Sequence, residues 1–486
     1  MDLLQTQEVL ALKEVDRRLA TELVMGVLRW RGELDYQIGT IFGRSVERLD
    51  PEVATILRLG VYQIRFLERI PKAATVNEAV EMTKAVHKRS AGGLVNAVLR
   101  KCPPGRGAAK LEPFDSLGEA IKASVRRTTP AWLLERWAAL KLPVIPAKAG
   151  SHSAETPVIP AQAGIHFAES EAHDAKARSP LVVVRCNEQL TTDDGQRTRD
   201  DDLALRLAWA STQIPPTVLR VVDRTQDIAR LREEFAAEGM QTRQGRFSNY
   251  ALVVESGNVQ ASQALRQGRV VIQAEASQLV VDLLVPQAGQ RVLDLCAAPG
   301  IKAGQIAQML GRGTLVTCDR SVSRLRTMAK LLPHWLPKGV KWQAVRLDAT
   351  QALPFACQFE RILLDAPCSG TGTLARNPEI KWRLRPADLN RLAEAQVKML
   401  KNALGSLCMT GRLVYATCSL EPEENESVVK RALEESPGYQ LASPAELKSA
   451  YPALIPLFDP QGYLRTRPDL YTMDGFFAAV IVRNKQ

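Results

Sequence analysis

Apolar positions recur with helical spacing along the first 140 residues. Ala20, Leu23, Val24, Val27 and Leu28 repeat at intervals of three and four, as do Val53, Ile56, Leu57, Val61 and Ile64, so residues 1–140 read as a helical bundle. The pattern then breaks. PVIPAKAGSHSAE, residues 143–155, recurs as PVIPAQAGIHFAE, residues 157–169, identical at ten of thirteen positions at an offset of fourteen. The prolines interrupt any regular element, and two short copies are too few for a stacked repeat. Residues 141–202 are therefore expected to form an exposed, mobile insertion, with a binding loop as the alternative. Across 203–275 a helical pattern gives way to the strand-like VLRVV, a helix stopped by Gly239, and the strand-like ALVVE and RVVIQ, which together predict a small α+β connecting subdomain. From 276 to 486 strand and helix alternate, through RVLDLC, TLVTCD, WQAVRLD, RILLDA and LVYAT to FFAAVIV. That alternation predicts a doubly wound α/β sheet with helices on both faces.

Composition narrows the class. With 486 residues, 45% of them hydrophobic, the chain can bury several cores, and the fold expected is multidomain. No run of 18 apolar residues occurs and the first segment is charged, so no membrane association and a cytoplasmic location are expected. The eight cysteines include no CxxC pair and there are only five histidines, which argues against a zinc site or a disulfide framework; no metal is expected. A net charge of +11 and a pI near 9.3 suit a polyanionic partner. In residues 1–110, 18 Lys or Arg stand against 13 Asp or Glu, equally consistent with a solvated helix face and with one that binds RNA.

The chemistry gathers where strands end. In RILLDAPCSGTG, residues 361–372, a strand runs into Asp365 and Cys368, and in an open parallel sheet ligands bind outside the carboxyl ends of the strands. A lone cysteine is most often a small buried hydrophobe. Here, however, GRLVYATCSLEPEEN, residues 411–425, repeats the arrangement at Cys418, and two such strands suggest two thiols facing one pocket. Between the first strand and helix, DLCAAPGIKAGQ, residues 294–305, offers a small-residue turn whose backbone N–H groups and helix N-terminus favour carboxylate or phosphate. The following strands end in Asp319, Asp348 and Asp365, acids that would repel one another around an empty cleft and that suit a ligand with hydroxyls, an amine and a positive centre.

DLCAAPG, DAPCSGTG followed by NPEIKW, ATCSLEPEEN and DGFFAA together resemble the Sun group of RNA (cytosine-5)-methyltransferases, and VNAVLRK, residues 95–101, resembles a NusB-type RNA-binding domain. The resemblance covers nearly everything except the insertion. It implies a NusB-like all-α bundle and a Rossmann-like methyltransferase core. It also implies S-adenosylmethionine held by Cys296, Ala297, Ala298, Pro299, Gly300, Ile301 and Lys302 with Asp319, Asp348 and Asp365. Cys418 would be the nucleophile, Cys368 would help release the product, and Asp365 would contact N3 of the cytosine. The substrate implied is an unpaired cytosine of 16S ribosomal RNA, recognised by a monomer; DNA methylation through Cys368 would leave Cys418 idle. The chain reads PGIKA where the group has PGGKT or PGGKS, and QAEAS where it has QDEAS. If the second glycine position requires positive φ, Ile301 is strained there. Ile301 and Ala303 thus motivate an alternative, a catalytically impaired RNA-binding or ribosome-assembly factor that retains the fold.

Overall fold

The computed structural model describes residues 7–105, 114, 117–140 and 196–484. The duplicated segment lies outside the described residues, and the expectations placed on it stay there. Among the described residues no helix is long and apolar enough to cross a membrane.

The first unit is built on the helices Glu14–Phe42, Pro51–Phe66, Lys72–Ala85 and Gly92–Lys101. Pro51 opens the second helix, where its missing N–H costs nothing, and Gly43 ends the first in the left-handed region at φ 77°. Val53, Ile56, Leu57, Val61 and Ile64 are all buried, as their spacing predicts. The long first helix departs from its expected stripe: Val24 is exposed while Arg29 is buried. Its far side is covered by another part of the chain, the Arg29 guanidinium donating to the Ala375 carbonyl at 3.0 and 3.2 Å.

Helices Glu119–Arg127, Ala131–Ala138 and Gln196–Thr212 form a second cluster, and the last of these starts within the polar run that reads as loop up to 202. Val125, Leu133, Trp137, Leu207 and Ala208 pack there with Leu374, Ile380 and Leu420, which belong to the C-terminal half. The connecting unit is a four-stranded antiparallel sheet of β1 (Val218–Val221), β2 (Gln241–Gln244), β3 (Ala251–Ser256) and β4 (Val270–Ile272), in the order β2-β3-β1-β4. Its helix Ile228–Ala237 is capped by Asp227, which accepts from the Ala229 and Arg230 N–H groups, and packs Leu231 and Phe235 on Leu219, Val221 and Leu252.

The remaining strands are β5 (Arg291–Leu295), β6 (Arg312–Asp319), β7 (Gly339–Arg346), β8 (Phe359–Asp365), β9 (Leu407–Thr417), β10 (Tyr439–Leu441), β11 (Leu464–Arg465) and β12 (Phe477–Arg483). They form one sheet in the order β10-β12-β9-β8-β5-β6-β7, with β11 beside β12. Strands β5 to β9 are parallel, and β12 enters antiparallel, so the sheet is mixed. Successive residues of β5 and β8 face opposite cores: Val292 and Leu363 pack on one side, Leu293, Leu295, Ile362 and Leu364 on the other. Strand order reverses between β5 and β8, and a crevice opens outside the carboxyl ends at such a switch point.

Candidate active site

A cavity of about 460 Å³ occupies that crevice. The loop after β5 supplies Cys296 to Pro299, the following helix Ile301 and Lys302, the loop after β8 Asp365 to Cys368, and the end of β9 Cys418. The turn after β5 places two residues at positive φ, Cys296 at 64° and Gly300 at 105°. Ile301 is the first residue of the helix Ile301–Leu310 and is not among the positive-φ positions. The expected strain at Ile301 is therefore absent, because Gly300 takes the left-handed conformation instead. Ala303 is fully buried against the sheet, where a small side chain lets the helix approach.

Lys302 Nζ lies 2.8 Å from Asp365 Oδ2. Burial pulls the lysine down, but Asp365 more than offsets it, so the ammonium is held above its ordinary range; a negative charge on Cys418 would add to this. Asp294 is buried beneath the pair with Oδ2 unpartnered, and burial, together with Asp365, pushes its carboxyl well above the usual range. On the opposite wall Asp474 is pushed up by burial and drawn back by Arg376, whose Nε donates to both its oxygens at 2.8 and 3.0 Å. Asp319 and Asp348 are not among the lining residues. Asp319 is buried at the end of β6, accepting from the Ser321 N–H at 2.8 Å and lying 3.3 Å from Arg324, while Asp348 follows β7 and turns its Oδ1 to Thr350.

The two thiols converge, Cys368 Sγ lying 3.3 Å from Cys418 Sγ. The hydrogen bond to Cys418 and burial both push the Cys368 thiol well above its ordinary range, so this member of the pair keeps its proton. Cys296 is pushed up by burial, and Cys318, behind the sheet, is pushed up to about 12 for the same reason. The loops carrying the two thiols are laced together: the Gly372 N–H donates to the Cys418 carbonyl at 3.0 Å and the Gly475 N–H to the Gly372 carbonyl at 2.7 Å. A Cβ on Gly372 would meet the Gly475 carbonyl oxygen, so only glycine permits this approach. Beneath them Glu424 is fully buried and accepts from the Ser369 N–H and hydroxyl, the Ser419 hydroxyl and Gln396 Nε2. Glu421, also buried, is paired with Arg136 and accepts from Trp137 Nε1.

Several of these groups were not assigned from the sequence. Asp294, Asp474, Arg376 and Glu424 carry no periodic signature, Gln396 falls on the buried stripe of its helix without being marked as a site residue, and the acids after Cys418 read as an acidic helix start. The signal available was their adjacency to the cysteine and strand-end motifs.

The cavity suits S-adenosylmethionine. Its volume is that of a small-molecule site, the carboxyl groups of Asp294, Asp365 and Asp474 line it, and the N-terminus of Ile301–Leu310 offers N–H groups to a carboxylate. Fold and site together define an S-adenosylmethionine-dependent methyltransferase with a helical domain ahead of it. Residues 281–482 match the family of 16S rRNA methyltransferases RsmB/F, and residues 2–103 match the NusB family. The chain is similar to the probable ribosomal RNA small subunit methyltransferase B of Bacillus subtilis, 28% identical over 472 residues that cover 96% of this chain and 90% of the relative. It is likewise 28% identical to the ribosomal RNA small subunit methyltransferase B of Cronobacter sakazakii, over 96% of this chain and 91% of that one. The solved structure of NSun6 from Pyrococcus horikoshii with SFG superposes with a TM-score of 0.51 at 20% identity, covering 59% of this chain and 96% of its own. Residues 281–482 thus carry the sequence of an RsmB/F-type methyltransferase domain, and residues 2–103 ahead of it that of a NusB-family domain.

Proposed function

We propose that the protein transfers a methyl group from S-adenosylmethionine to C5 of a cytosine in 16S ribosomal RNA, through a covalent bond between Cys418 and C6 of the base. The observation that carries this reading is the pair of thiols 3.3 Å apart in a cavity that also holds Lys302 and Asp365. The family description and the names of the relatives support the ribosomal RNA substrate. Cytosine C5 is too weak a nucleophile to take a methyl group, and addition of a thiolate at C6 pushes electron density onto it. S-adenosylmethionine supplies, when bound, the electrophilic methyl group. Residues Cys296 to Lys302 with Asp365 would hold it, whereas Asp319 and Asp348, given the same role by the resemblance, are not among the residues that line the cavity.

Burial and the hydrogen bond to Cys418 hold the proton on Cys368, so Cys418 is the sulfur given the nucleophile's role, with Lys302 lining the same cavity. Asp365 contacts N3, where charge develops as the sulfur adds, and Lys302 supplies the compensating positive charge. Afterwards a base, such as a water molecule in the cavity, takes the C5 proton, the electron pair it leaves re-forms the C5–C6 double bond, and the Cys418 sulfur departs from C6 as the thiolate, a release that Cys368 assists. A base in an unpaired loop enters such a cavity without breaking a base pair. The alternative of an impaired assembly factor rested on Ile301 and Ala303, and the ordinary backbone of Ile301 removes much of its basis. Incubating the protein with S-adenosylmethionine and unmodified 16S RNA is expected to yield 5-methylcytosine by mass spectrometry, and Cys418→Ala none. A well-folded wild type that binds S-adenosylmethionine in calorimetry yet makes no product contradicts the assignment.

A further inference from the structure

Charge is unevenly distributed along this chain. Residues 312–346 contain eight Lys or Arg and a single acid, whereas the whole chain has 64 against 53, so most of the net +11 arises from about one-fourteenth of the sequence. The segment is β6, the helix Val322–Leu331 and β7, the last of which is an edge of the sheet. Arg312, Arg320, Arg324, Arg326, Lys330, Lys338, Lys341 and Arg346 are all exposed, while the one acid, Asp319, is buried. Apart from Arg324, which pairs with Asp319 and donates to the Ala298 carbonyl, their side chains make no hydrogen bond or ion pair among the described residues.

Charges on an edge strand also keep it from pairing with another sheet, which would account for Lys341 and Arg346. That explanation does not reach Arg326 and Lys330, which lie on a helix. Four residues apart, they share its outward face about 6 Å from each other, while Met328 turns into the core. Arg346 lies two alternations beyond Trp342, and Trp342 packs on the same core as that helix. Arg320 leads to the crevice, close enough to Asp348 to favour its carboxylate, and Arg324 lines the cavity itself. A row of unneutralised cations thus leads across the β6–β7 edge to the site.

We infer that this edge holds the phosphate backbone of the RNA strand flanking the target nucleotide, a contact surface additional to the N-terminal helical domain. The inference rests on the reading of RNA as substrate. Each phosphate neutralised on a single strand contributes about −0.7 to the slope of log Kobs against log salt. The test is fluorescence anisotropy of the full-length protein with a labelled single-stranded 16S RNA fragment, from 50 to 400 mM salt. The triple variant Arg326→Gln, Lys330→Gln and Arg346→Gln is expected to flatten the slope by about two, and to raise KM for RNA roughly tenfold or more with kcat little changed. S-adenosylmethionine binding should match wild type, which verifies folding. The control variant Lys398→Gln with Lys448→Gln, which removes charge elsewhere, should bind as wild type does. A triple variant with the wild-type slope, or a control that loses as much per charge removed, overturns the inference. A wild type that binds no RNA at any salt overturns the substrate reading as well, and so is distinguishable from either.

Discussion

Cys368 and Cys418 lie side by side because β8 and β9 are adjacent parallel strands that end in register, Asp365 standing opposite Ala416. This much was legible in the sequence, since each strand visibly ran into a cysteine. Their environment was not. Whether a buried acid such as Glu424 or Asp474 lies under a site depends on contacts between distant segments, and hydrophobic periodicity records only which face of its own element a residue occupies. Lys302 shows the consequence. It neutralises Asp365 beside the buried Asp294, and removing one partner of a buried pair leaves an uncompensated charge. Lys302→Met is expected to lower stability by about 2 kcal/mol, discounted because both side chains retain some exposure. Adding Asp365→Asn should recover part of that loss. A thermal melt in which both variants match wild type contradicts the role given to the pair.

At the scale of elements, the short segment of NPEIKW carries the coupling between halves. Lys381 is fully buried and donates to the Arg29 carbonyl at 3.1 Å and the Ser211 hydroxyl at 3.3 Å, and Trp382 Nε1 donates to the Leu28 carbonyl at 2.7 Å. Arg376 and Asn377, a few residues earlier, line the cavity. The motif was visible in the sequence, but its task was not, because nothing local marks Arg29 and Ser211 as its partners. Burial, reinforced by Arg29, lowers the Lys381 ammonium from 10.5 to about 7. The unfolded chain therefore holds more protons than the folded one between pH 7 and 10.5, and stability gains from this group as pH rises through that window. Relative to Lys381→Met, the wild type should become more thermostable between pH 7 and pH 9. A constant difference between the two melting temperatures would show that the lysine does not titrate in its buried site.

At the scale of the whole molecule, the order of domains was legible and their mutual contact was not. Alternating strands and helices foretold the parallel core, and periodic apolar positions foretold the bundle ahead of it. β12 was read as a strand from FFAAVIV, but not as an antiparallel one, because a fully buried strand reads the same in either direction. The packing of the helices around Trp137 onto Leu374, Ile380 and Leu420 means that the helical half forms one wall behind the catalytic loops. RNA held by the N-terminal domain, and along the β6–β7 edge, would then reach a site whose loops both halves support.

The central claim is that two neighbouring thiols divide the work, one bonding to the base and the other releasing it. Denaturing gel electrophoresis of the Cys368→Ala variant with labelled 16S RNA and S-adenosylmethionine tests it most directly. The account predicts a stable protein–RNA adduct that accumulates in Cys368→Ala and vanishes when Cys418→Ala is added. An adduct that forms in Cys418→Ala and not in Cys368→Ala would reverse the two roles and contradict the account.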